Sequence, residues 1–189
     1  MIIFDIEVNK KTNRIMDIGA TTMEGDEFHS KDIDNFIRYI KQHKKFAFAG
    51  HNVIAFDMKY IEKTVLGRFI NPKHVIDTLY FSTLLFPKKP YHKLVKDDKL
   101  NVEHSNNPLN DSIKAKHLLN DCVIQFSKLD ENLKSIFYYL LKDIDGAGAF
   151  FKYVYYKPTT TNVHLLINNY FHSRVCLNAN LKNLIKKHP

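Results

Sequence analysis

Apolar and polar positions change in short blocks over the first eighty residues and settle into longer helical spacing after that. Ile2 to Val8 is an apolar run broken only by Asp5 and Glu7, and it reads as a central strand. After the polar turn Lys10 to Asn13, Arg14 to Thr22 reads as a second strand, antiparallel to the first. Glu24-Gly25-Asp26 is a turn signal ahead of a short third strand around Glu27 to Ser30. Ile33, Phe36, Ile37 and Ile40 have helical spacing, with Ser30 or Asp32 available as N-cap. Phe46 to Gly50 reads as a fourth strand, a helix is predicted from about Ala55 to Val65, and Val75 to Leu79 reads as a fifth strand.

Between Phe86 and Pro108 the pattern is lost, apart from a short helix around His92 to Asp98. A helix then runs from about Leu109 to Phe126. This order predicts an α/β fold, with a meander of three antiparallel strands joined to two parallel strands by crossover helices. Further on, Leu129 to Lys142 is helical, and Phe150 to Tyr156 is either a strand or an aromatic loop. Asn162 to Phe171 and Ala179 to Lys187 read as short amphipathic helices. The division expected is 1–128 as the α/β domain and 129–189 as a helical appendage packed on it.

Composition narrows the class. The chain has 189 residues, 44% hydrophobic and 25% charged, which is ample for a buried core and unlike a disordered chain. No apolar stretch is long enough to span a membrane. Met1 to Glu7 carries acid where a signal peptide carries base, and two cysteines make no disulfide framework. A soluble cytoplasmic protein is the expectation. The net charge of +8 favours polyanionic partners.

The chemistry starts with the acids. Asp5 and Glu7 lie two apart on an apolar strand, so both project from one face while Phe4, Ile6 and Val8 fill the other. Two neighbouring carboxylates repel and lose hydration unless a cation neutralises them, and Mg²⁺ or Mn²⁺ suits oxygen ligands. A strand end where both reach water is the ordinary alternative. Asp57 follows the fourth strand in Gly50-His51-Asn52-Val53-Ile54-Ala55-Phe56-Asp57, where open α/β sheets put their sites. Asn52 is placed to orient a phosphate or the turn carrying Asp57; the alternative is that both residues only cap a helix. Asp111 stands in Asn106-Asn107-Pro108-Leu109-Asn110-Asp111-Ser112 at a helix start, where an aspartate is also ordinary.

Phe4-Asp5-Ile6-Glu7, then Gly50-His51-Asn52-x-x-x-Phe56-Asp57, then Asn110-Asp111-Ser112 resemble the three motifs of the DEDD 3′–5′ exonucleases, a superfamily with a ribonuclease H-like fold. Arg14 to Ala20 and Val75 to Leu79 are similar to the strands that accompany those motifs. The resemblance covers roughly residues 2 to 120. It implies that Asp5, Glu7, Asp57 and Asp111 hold two Mg²⁺ or Mn²⁺ ions, and that the chain hydrolyses phosphodiester bonds at single-stranded DNA 3′ ends, with RNA as the alternative. Ile6, His51 and Asn52 join Asn106 as substrate-binding candidates. This chain departs from the pattern at the general base. The usual His or Tyr positions are Asn106 and Asn107, so His104 is the candidate base. Lys88, Lys89, Tyr91, His92 and Lys93 form a basic, aromatic stretch suited to a single strand, with Lys41, Lys44 and Lys45 as a second cluster. The same region looks like an exonuclease module found with bacterial RecQ-like helicases, which implies a helicase domain or subunit as partner. The rival reading is a nucleic-acid-binding or scaffold module that kept the fold and lost turnover.

Overall fold

The computed structural model describes residues 1–43, 47–94, 107–159, 162–172, 174–176 and 180–187. A five-stranded mixed sheet forms its centre, made of β1 (Ile2–Asn9), β2 (Arg14–Thr22), β3 (Glu27–Ser30), β4 (Phe48–Gly50) and β5 (Val75–Asp77). The spatial order is β3-β2-β1-β4-β5, with β1, β2 and β3 antiparallel and β4 and β5 parallel to β1. This is a ribonuclease H-like arrangement, flanked by helices on both faces.

The alternation within β1 assigns its two faces. Ile2, Phe4 and Ile6 are buried against α1 (Ile33–His43), whose Phe36, Ile37 and Ile40 form the apolar stripe seen in the sequence. Met1 and Ile3 point to the other face, into a second core with Phe81 and Leu85 of α3 (Thr78–Leu85) and Ala115, Leu119 and Cys122 of α4 (Pro108–Ser127). Asp5 and Glu7 continue that second row toward the end of β1.

Three elements differ from expectation. The helix expected from Ala55 to Val65 is the single turn α2 (Met58–Ile61), followed by a 3₁₀ turn at Val65–Arg68 that begins where the Thr64 hydroxyl accepts from Leu66 N. The segment just after β5 is helical: Asp77 ends the strand, and its carboxylate accepts from Leu79 N to start α3. Gly148–Tyr153 forms the short helix α6, neither strand nor loop. Its Phe150 and Phe151 are buried, with the Phe150 ring centroid 3.9 Å from that of Phe81 and 5.3 Å from that of Phe126.

The remaining helices are α5 (Glu131–Leu141), α7 (Val163–Phe171) and α8 (Leu181–Lys187). Between α5 and α6 the chain returns to the sheet. Asp77 N donates to Gly146 O at 2.7 Å, and Ile76 and Gly146 form a parallel bridge on the outer edge of β5. Gly146 has φ +83°, and a Cβ there would meet Ile54 at 2.6 Å, so the return needs glycine. No described helix is long and apolar enough to cross a membrane.

Candidate acidic site and basic cleft

β1 and β4 pair only at Ile2 with Phe48 and Ile3 with Ala49. Beyond that β4 ends at Gly50, where a Cβ would sit 2.8 Å from Phe4 O, and the chain turns away. A seam therefore opens beside the second half of β1. The Asp57 carboxylate fills it, with Oδ1 accepting from Ile6 N at 3.1 Å, on the strand between Asp5 and Glu7. Although Asp57 stands at the N-cap position of α2, its side chain makes no cap hydrogen bond. The helix-capping alternative for this residue is thus not what the structure has. Burial drives the Asp57 carboxyl up to about 8, against its hydrogen bonds to Ile6 N and its own backbone N–H, with the charges of Asp77 and Glu7 raising it further.

Asp77 organises the turn that carries Asp57. It is fully buried and accepts from Asn52 N at 2.8 Å, Ile54 N at 3.0 Å and Leu79 N at 3.0 Å. Burial raises its pKa, and those three donors oppose the rise. Asn52 adopts φ +58°, a left-handed conformation asparagine tolerates, and it serves the turn through its backbone N–H. Sequence reading missed Asp77, although an aspartate between a strand and an apolar run is an N-cap signal.

Asp111 comes to the same face by a close contact. Asp5 is paired with Gly19 on β2, so the two share a side of the sheet. A Cβ on Gly19 would lie 1.9 Å from Leu109 N and 2.1 Å from Pro108 C, so the first turn of α4 rests directly on Gly19. Asn107 Oδ1 accepts from Leu109 N at 3.0 Å, and Pro108 takes the first helical position. Asp111 follows one turn into the helix and faces Lys114 Nζ at 3.6 Å.

Carboxylate oxygens, the donor type a hard divalent cation takes, come to this region from β1, from the turn after β4 and from the start of α4. Among the described residues, no group of three or more His, Cys, Asp or Glu is set to hold a metal ion.

Of the substrate-side candidates, Ile6 buries its side chain in the core on the face opposite the acids, and its N–H is committed to Asp57. His51 is half-buried, with Nδ1 2.9 Å from Thr78 Oγ1, and burial lowers its pKa to about 4, so it is neutral at pH 7. His92 Nδ1 lies 2.9 Å from Ser82 Oγ, tying the basic stretch to α3. Lys89, Tyr91, His92 and Lys93 line a cleft of about 600 Å³, whose other wall is α4 through Lys114, His117 and Leu118. Lys88 is exposed beside it and does not line it. Lys114 was not singled out from sequence and Leu118 only as an inward position of the helix, yet both follow Asp111 at helical spacing on one face. Lys41 is exposed, with Nζ 5.5 Å from the Phe69 ring centroid. His104, Asn106, Lys44 and Lys45 lie outside the described residues. No family model, curated protein or solved structure matches this chain.

Proposed function

We propose that the chain is a metal-dependent 3′–5′ exonuclease that hydrolyses phosphodiester bonds at single-stranded DNA 3′ ends. The observation that carries this reading is the aim of Asp57. It is spent neither on capping its helix nor on solvent, but on β1 between two further acids, where its burial is costly without a cation. The order of the acids along the chain, the sheet order and the seat of α4 on Gly19 support it.

Asp5, Glu7, Asp57 and Asp111 would hold Mg²⁺ or Mn²⁺, which when bound neutralises phosphate charge and acidifies a water. The chain's own residues do the rest. Asp77 fixes the turn so that Asp57 keeps its position. Lys89 and Lys93 supply cations for phosphates, and Tyr91, 81% exposed, offers a ring face to a base. Asn107 accepts no proton, because an amide is not basic and its oxygen caps α4.

A second reading, a nucleic-acid-binding module without turnover, is favoured by that Asn107. One assay separates the two. Single-stranded DNA and RNA labelled at the 5′ end are incubated with the protein in Mg²⁺, Mn²⁺ or chelator. The nuclease reading expects a metal-dependent ladder that Asp5→Ala weakens at least about a hundredfold. Tight binding with intact oligonucleotides under every metal condition would leave the binding module in its place.

A further inference from the structure

A second cleft, of about 580 Å³, lies away from the acids on the helices that follow α4. Its walls come from α5 and α6 and from the chain just after α6. Phe151 and Tyr156 form part of the lining and are held rigidly: Phe151 is buried in the second core, and the Tyr156 hydroxyl lies 3.0 Å from Ser135 Oγ. Over this stands Tyr155, which is 96% exposed although it lines the cleft.

The backbone of Tyr155 has φ +53°, a left-handed conformation that side chains other than glycine adopt at a cost. Its N–H donates to Lys152 O at 3.2 Å, closing the end of α6. A tight helix end of this kind usually carries glycine. Here a large aromatic side chain occupies the strained position and buries nothing in return, so neither packing nor turn formation accounts for it. Charge completes the pattern. Among the described lining residues, Lys142, Lys152 and Lys157 stand against one acid, Asp143, which is hydrogen-bonded to Lys142, and the Tyr156 hydroxyl also donates to Glu131 Oε2 at 3.3 Å.

We propose that this Tyr155 cleft binds single-stranded nucleic acid, with a base stacked on the Tyr155 ring and the backbone phosphates on Lys152 and Lys157. An exposed ring flanked by lysines is the combination that unpaired bases and phosphates recognise together; an acidic peptide would use the lysines and leave the ring idle. The cleft beside the acids repeats the combination with Tyr91, Lys89 and Lys93. For the nuclease proposed above, the Tyr155 cleft would be a second hold on the strand. Binding itself requires no hydrolysis, so the test keeps the two claims apart.

The full chain is titrated against fluorescein-labelled oligothymidylate of twenty nucleotides in chelator, with fluorescence anisotropy as the readout. Tyr155→Ala is expected to weaken binding roughly five- to fiftyfold and Tyr155→Phe to leave it within about twofold, because the ring face does the work. The pair Lys152→Ala and Lys157→Ala is expected to lower the slope of log affinity against log salt by about 1.4, at ~0.7 per phosphate contact. These lysines are exposed, so this second route does not depend on how Tyr155→Ala folds. Unchanged affinity in both variants overturns the site. So does equal loss on duplex DNA or on a polyglutamate peptide of similar charge, since either would mean a bare cationic surface. Retained binding together with absence of any metal-dependent ladder would sink the nuclease and leave this site standing.

Discussion

At the scale of single residues, Asp57 carries an opposition between folding and chemistry. Its carboxyl is buried, with Glu7 and Asp77 nearby, and its pKa is raised from the ordinary value of 3.8 to about 8. An acid raised in this way binds more protons folded than unfolded between those two values, so it makes stability fall as pH rises from about 4 to about 8. Without divalent ions, Asp57→Asn is therefore expected to be more stable than wild type at pH 8, by an order of a few kcal/mol. An amide oxygen can still accept from Ile6 N, so the hydrogen bond survives the change. The gap should close as pH is lowered toward 4, and thermal melts across that range check it. Added Mn²⁺ should raise the midpoint of wild type and leave the Asn variant where it was. A variant less stable than wild type at every pH would show that the charge of Asp57 is compensated inside the protein.

Among the elements, α4 depends on the smallest residue beneath it. Gly19 is opposite Asp5, and its bare Cα is the seat of Pro108 and Leu109. Gly19→Ala would drive a methyl into backbone, which cannot rotate aside, and is expected to cost about 3 kcal/mol or more in urea denaturation. Since the same displacement moves Asp111, any folded remainder should lose the nuclease activity proposed above, in assays at saturating protein. Much of this layout was readable beforehand. The stripe of Phe36, Ile37 and Ile40 announced α1, and the apolar run Ile2 to Val8 announced β1 together with the two acids of the candidate site. The helix α3 was hidden because Thr78 to Leu85 is apolar on nearly every side and so shows no period; only Asp77 before it and Pro87 after it mark its ends. What Asp57 does was equally hidden. Its direction follows from β4 being three residues long, which opens the seam, and no spacing in the sequence records that gap.

At the scale of the molecule, the two faces of the sheet are closed by different parts of the chain. One is covered by α1 and the turns around α2; the other needs α3, α4 and, from beyond residue 128, Phe150 and Phe151. Those two rings are buried among Phe81, Phe126 and Tyr138. Deleting one buried phenylalanine side chain typically costs 3–5 kcal/mol, so losing both would consume most of an ordinary domain's ~5–15 kcal/mol. A fragment of residues 1–128 is expected to show no cooperative unfolding transition by circular dichroism, and a sharp transition would mean that the first core suffices. The return at Gly146 has one more effect. A sheet border with open amides is a template on which another chain can add itself, and β5 is one of the two borders here. By laying its own backbone along that border, the chain fills the vacancy from within. At the opposite border, β3 spans four residues and offers an incoming strand the charge of Glu27 and the polar His29 and Ser30.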